Sequence, residues 1–273
     1  PAKIVTRVYS MKLENVLQQS GIAREDFINL FEFFCGSMHV ATKTFTMNDL
    51  SLPVNTTSTR KDNQLQIFSQ GKMLMIIYFR QNSEEISNIQ YFDVNGRTLK
   101  MTWWDVRGFK CLEQYFDWDG KISQEQYFGP YGQVHIEKNH LLDRTGKERI
   151  SWKVVNYHQG SWVFTGMNDL TRFFYDELNA NGEDNVFICD RTVECDWGLF
   201  HMQTPAKKVL HLHNDHVSDP SDMLHSTLNN NYTNALNNWD KWDAVISATP
   251  EQSKDIEDRF GKSSPAFTIP IGY

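Results

Sequence analysis

The stretch VLHLHNDHVSD, residues 209–219, decides how this chain is read. An apolar run (Val209, Leu210, Leu212) carries three histidines, His211, His213 and His216, with Asn214 and Asp215 among them. Two readings compete. The string H-x-H-x-D-H has the spacing of zinc ligands. Alternatively, a buried strand of a parallel sheet ends here, and its polar residues stand at the carboxyl end of the strand, where open α/β sheets bind their ligands.

The surroundings favour the second reading. Three other short apolar runs, NVFICD (185–190), DAVISAT (243–249) and AFTIPIG (266–272), are separated by helical patterns. Asn168 can cap a helix whose face is Leu170, Phe173, Phe174 and Leu178. The last helix carries Thr249 as cap, Pro250 at its first position, Gln252 closing a capping box and Gly261 after its end. Buried strands alternating with helices predict a parallel sheet of Rossmann type. The chain also opens this way. KIVTRVYS (3–10) reads as a strand, and Ser10 can cap a short helix with Leu13, Val16 and Leu17 that stops by Gly21. Phe27, Leu30, Phe31 and Phe34 then give one apolar helical face.

Between these parts the period changes to two. TLKMTWWD (98–105), QVHIEK (133–138) and RISWKVV (149–155) alternate apolar and polar residues, as strands with one wet face do. Four turns, in YFDVNGRT, YFDWDGKI, YFGPYGQV and LLDRTGKE, place Gly96, Gly120, Gly132 and Gly146 after a polar or turn-forming pair. DWDGK resembles a calcium loop, but the later ligands and closing glutamate are missing, so it reads as a hairpin turn. The expected fold class is therefore α/β: an incomplete Rossmann-like parallel sheet with a large inserted antiparallel β-meander. Residues 1–38 begin the Rossmann-like domain, 39–165 form the insertion and 166–273 complete the domain.

Composition narrows the function classes. The chain has 273 residues, 40% hydrophobic and 13% aromatic, which excludes a disordered chain. A net charge of −7 and a pI near 5.7 give no footprint for nucleic acid or an anionic membrane. No run of ~20 apolar residues offers a transmembrane segment. Cys35, Cys111, Cys189 and Cys195 lack CxxC spacing and read as buried thiols in a reducing compartment. The segment PAKIVTRVYSMK lacks a signal-peptide layout, so a cytoplasmic location is expected, with membrane-peripheral attachment left open.

H-x-H-x-D-H is also the signature of metallo-β-lactamase-like hydrolases. Their site needs a third histidine, a bridging aspartate and another histidine from later in the fold. Here only His225 follows His216, VSDPSD replaces the usual Gly-Gly, and the motif comes late in the chain. A zinc hydrolase using His211, His213 and Asp215 is kept as an alternative. His211 alone reads as an ordinary sheet residue.

Four segments together resemble a known family: VFICDR (186–191), VLHLHNDH (209–216), LNNNYTNALNNWDKWDAVISATPEQSKDI (228–256) and FTIPIGY (267–273). Their order, and the meander inserted in the first Rossmann unit, resemble the N-terminal half of a retaining GT-B glycosyltransferase. The resemblance is to the type that glycosylates serine-rich adhesins in the accessory secretion system and to poly(glycerol-phosphate) α-glycosyltransferases. It implies transfer of a sugar, GlcNAc or glucose, from a UDP-sugar to Ser or Thr of an acceptor protein or to a polyol-phosphate polymer, with retention. It implies no cofactor and no metal, with UDP-GlcNAc or UDP-glucose as donor substrate. His213 would line the donor sugar, Asn214 and His216 would shape the acceptor side, and Asp190 and Arg191 would face the same cleft. The family's Gly-rich loop and second Rossmann domain, which holds the diphosphate, are not in this sequence. The expectation is that this stretch alone turns over little or nothing. A competing reading is a non-catalytic binding or assembly module. Its sheet would present Trp103–Trp104 and the Tyr-Phe pairs to a partner chain, giving a homo- or hetero-oligomer. Against this, each Tyr-Phe pair also reads as core.

Overall fold

In the computed structural model, residues 2–180 and 184–270 are described. The chain divides into two compact units, Pro1–Gly166 and Met167–Tyr273.

The first unit opens with β1 (Ile4–Thr6), α1 (Leu13–Ser20), β2 (Phe27–Asn29) and α2 (Leu30–Cys35). β1 and β2 form a two-stranded parallel sheet of their own. Helix α2 starts later than its apolar spacing predicts. Phe27 belongs to β2, and Asn29 is the cap, its side chain accepting from the N–H groups of Phe31 and Glu32. The Asn29 amide also donates to Thr6 Oγ1 and the Val8 carbonyl, so pairing with β1 overrides the helical period. Ser10 is not the cap of α1. Lys12 holds that position, and Ser10 Oγ accepts from the Lys12 N–H.

A ten-stranded meander follows. Its strands are β3 (Thr57–Lys61), β4 (Gln64–Ser69), β5 (Lys72–Phe79), β6 (Ile86–Phe92), β7 (Thr98–Trp104), β8 (Lys110–Phe116), β9 (Ile122–Phe128), β10 (Val134–Leu142), β11 (Glu148–Tyr157) and β12 (Gly160–Phe164). Each lies beside its sequence neighbour. Three of its turns share one construction. Asp93 Oδ1 accepts from the N–H groups of Asn95 and Arg97, Gly96 donates to the Asp93 carbonyl, and Gly96 has φ +80°. Asp117 and Asp143 repeat this with Gly120 and Gly146. In each of these three turns only the glycine takes a positive φ, the mark of a three-residue hairpin loop with a glycine bulge. DWDGK is accordingly a hairpin turn.

Trp104 is buried and stacks on Phe45, with ring centroids 4.8 Å apart, over a cluster of Ile67, Ile77, Phe79, Ile86 and Ile89. Tyr127 and Trp152 pack against Phe31 of α2. Trp104 and the Tyr127–Phe128 pair thus serve the core. A buried ion cluster anchors α2. Arg107 pairs with Glu32 at 2.6 Å and Asp105 at 2.8 Å and donates to the Ser37 carbonyl, and Arg24 also pairs with Glu32.

The second unit is α3 (Met167–Leu178), β13 (Val186–Cys189), α4 (Thr192–Phe200), β14 (Lys207–His211), α5 (Thr233–Asn237), β15 (Ala244–Ser247), α6 (Pro250–Phe260) and β16 (Ala266–Thr268). Helix α3 begins at Met167, one residue ahead of the cap expected at Asn168. The four strands form one parallel sheet in the order β13-β14-β15-β16. Leu210, Leu212, Val245 and Ile256 are fully buried in its core. The expected fold class is borne out: a parallel sheet with helices, plus a large antiparallel sheet. Of the strand expected in AFTIPIG, Ala266–Thr268 is β16, and residues 271–273 lie outside the described residues. No helix among the described residues is long and apolar enough to cross a membrane.

Candidate functional site

Alternation along β14 buries Leu210 and Leu212 and turns His211 and His213 to the same side. In the parallel register Cys189 lies opposite Leu210, so Asp190, one residue beyond β13, comes level with the histidines. Its Oδ1 sits 2.6 Å from His213 Nε2 and 3.2 Å from His211 Nδ1. The two imidazoles are 4.3 Å apart at their centroids. A carboxylate only accepts, so the proton of His213 lies on Nε2, leaving Nδ1 as an acceptor. Arg191 is 79% exposed at its side chain, and its Nε lies 4.0 Å from the other Asp190 oxygen.

The residues after His213 are held from two sides. The His213 backbone N–H donates to the Tyr232 hydroxyl (3.0 Å), which donates to Asn214 Oδ1 (2.7 Å). The Gln252 amide donates to the Asn214 carbonyl at 2.9 Å and accepts from the Ala248 N–H. Gln252 therefore does not close the predicted capping box. Thr249 still caps α6 by accepting from the Gln252 N–H, but the glutamine side chain reaches across to β14's exit. Tyr232 and Gln252 were not legible as site residues, because their partners lie on other elements.

His216, expected on the acceptor side, is fully buried. Its Nε2 donates to the Met223 carbonyl at 3.1 Å, its ring lies near Phe260, and its Nδ1 has no partner. Burial pushes its pKa below the usual imidazole value, so it is a neutral packing group. Its backbone carbonyl accepts from the Asn229 N–H.

The zinc set expected from the linear motif is not the one assembled. Among the described residues, the group whose ligand atoms converge, all within 4.8 Å of one another, is Asp190, His211 and His213. Asp190 takes the place expected of Asp215.

No protein-family model matches the chain. In fold and sequence the chain is similar to GT-B glycosyltransferases of the accessory-secretion and teichoic-acid type, as the four segments predicted. In particular, it is similar to the UDP-N-acetylglucosamine--peptide N-acetylglucosaminyltransferase GtfA subunit of Streptococcus gordonii. Identity is 23% over 287 residues, covering 100% of this chain and 54% of that protein. Among solved structures, a GtfA/B complex superposes with a TM-score of 0.77 at 20% identity, covering 100% of this chain and 54% of that one. A mutant TarM of S. aureus, in complex with Fondaparinux, alpha-GlcNAc-glycerol and UDP, gives a TM-score of 0.72 at 18% identity. There the coverage is 99% of this chain and 55% of that one. The chain spans about half the length of the curated relatives it matches.

Proposed function

We propose that this chain supplies the histidine-bearing wall of the sugar cleft of a retaining glycosyltransferase. The enzyme moves GlcNAc from UDP-GlcNAc to serine or threonine hydroxyls of an acceptor protein. The observation that carries the reading is the strand-end constellation itself: His213, oriented by Asp190 and fixed at its backbone by Tyr232. The name of the S. gordonii relative supports the donor and the peptide acceptor. UDP-glucose as donor is kept as a variant of the same reading. The TarM complex with alpha-GlcNAc-glycerol favours, as a second reading, a polyol-phosphate acceptor.

The chemistry follows from the residues. With Nε2–H donated to Asp190, His213 Nδ1 can accept a hydrogen bond from a sugar hydroxyl. Asp190 adds a hydroxyl acceptor at the same place, and Arg191, exposed beside it, brings a positive charge suited to the phosphate side of the donor. Asn214, locked by Tyr232 and Gln252, presents a fixed edge to the acceptor. These groups orient the sugar and require no metal or cofactor. Stabilising the departing diphosphate is the larger electrostatic task. His216 supports the loop from within rather than touching ligand.

The exposed edge strand β3 carries Arg60 and Lys61, while the opposite edge β12 exposes Val163 and part of Trp162. We infer association with a second subunit through this sheet; the subunit wording of the relative and the GtfA/B complex support it. The test of the site is transfer from UDP-GlcNAc by the complete polypeptide bearing His213→Ala. A fall in kcat/KM of about a hundredfold is expected for loss of a positioning contact. Wild-type kcat/KM in a folded variant would refute the role.

A further inference from the structure

We propose that Asp190, His211 and His213 form a binding site for a transition-metal dication of the zinc type. Two imidazole nitrogens and one carboxylate oxygen suit zinc, cobalt or nickel, whereas magnesium and calcium prefer all-oxygen shells. The three atoms come from the ends of two adjacent parallel strands and lie within 4.8 Å of one another. A tetrahedral ion with bonds of about 2.0–2.1 Å sets its ligand atoms roughly 3.3 Å apart. The His211–Asp190 separation of 3.2 Å already meets that figure. The His213–Asp190 separation of 2.6 Å is that of a proton-bridged pair and has to widen by under ~1 Å. Asp190 can make that movement, because its side chain is 57% exposed. A dication takes the place of the two N–H protons facing Asp190, each imidazole then carrying its proton on its other ring nitrogen, and binds three protein groups, leaving its fourth position to water, the arrangement of an open rather than a structural site.

The linear motif names a different set. It offers Asp215, but the fold brings Asp190 to the histidines through the β13–β14 register. His216 is held by Met223 inside the core, and Arg191 lies by the other oxygen of Asp190, so neither closes the open side. One consequence rests on the sugar reading above: an ion on His213 Nε2 puts that ring's proton on Nδ1 and takes up Asp190, so the donor hydroxyl loses both of its acceptors and the ion competes with the donor. Metal binding itself does not rest on that reading.

The test is a zinc titration of the chain against a chromogenic indicator, with cobalt absorption as a second readout. Variants His211→Gln, Asp190→Asn and the distant control His225→Gln are compared, each checked for folding by circular dichroism. The expected result is one ion per chain, at least tenfold weaker binding in His211→Gln and Asp190→Asn, and unchanged binding in His225→Gln. Absence of saturable binding, or equal binding by the folded His211→Gln and Asp190→Asn variants, overturns the proposal. Repeating the titration with the complete polypeptide saturated in UDP-GlcNAc separates the two claims. Zinc that binds equally with and without donor upholds the metal site and contradicts the sugar role of His213. Donor binding that needs His213 while zinc never binds does the reverse.

Discussion

At the exit of β14 each residue is set by what its neighbours allow. His211 and His213 stay at the surface because Leu210 and Leu212 take the core side, and Asp190 meets both. Tyr232 is the side chain that fixes this exit, accepting from His213 and donating to Asn214. Tyr232→Phe is expected to cost about 1 kcal/mol of stability, the net worth of such a hydrogen bond, read as a lower urea midpoint with unchanged m. His216 gives a pH signature. Its folded pKa is lowered by burial, so the unfolded chain binds the extra proton first and stability rises with pH through this window. Its contribution is complete above the ordinary imidazole value of 6.5 and is lost as pH falls below it. His135, also lowered by burial, acts in the same direction. Urea midpoints of the wild type and His216→Gln between pH 5 and 8 check this. The variant should show the shallower slope; equal slopes would contradict the assignment.

Among the elements, the first helix-strand junction shows how pairing outranks periodicity. Phe27, Leu30, Phe31 and Phe34 do share helical spacing, yet Phe27 pairs with Ile4 in β1, and Asn29 becomes a cap instead of a second helical turn. Asn29→Ala removes that cap and the tie to Thr6, and thermal unfolding should show a loss of about 1–2 kcal/mol. Gly108 lies in the turn between β7 and β8. Gly108 has φ +82°, and a Cβ there would stand 1.9 Å from the Lys43 carbonyl oxygen. Gly108→Ala should therefore destabilise by more than about 1 kcal/mol, through backbone strain and the forced shift of residue 43. A midpoint equal to the wild type would contradict the approach. The meander was legible because Asp and Gly recur at fixed places in its turns and the strands alternate. The α6 capping box was misread because Gln252 found a better partner in Asn214, a contact that only the sheet brings about.

For the molecule as a whole, the alternation of apolar runs with helices gave away the parallel sheet, and the change of period gave away the large antiparallel one. The site was legible in part. His213 and Asn214 stand at a strand end as their position in the motif implies, but the partnership of Asp190 with both histidines depends on parallel register, which no local spacing encodes. Burial of His216 likewise comes from Met223 and Phe260, remote from it in the pattern. The proposed association through the sheet belongs to this scale too. Light scattering of the complete polypeptide should report a mass above that of one chain when the proposed second subunit is present, and replacing Val163 on β12 with Lys should reduce it. An unchanged mass would leave β12 outside the interface. The central claim, that His213 meets a donor sugar, is tested most directly by a crystal structure of the complete polypeptide with UDP-GlcNAc. The account predicts a sugar hydroxyl within about 3.2 Å of the His213 imidazole; a sugar bound away from the Asp190–His213 pair would contradict it.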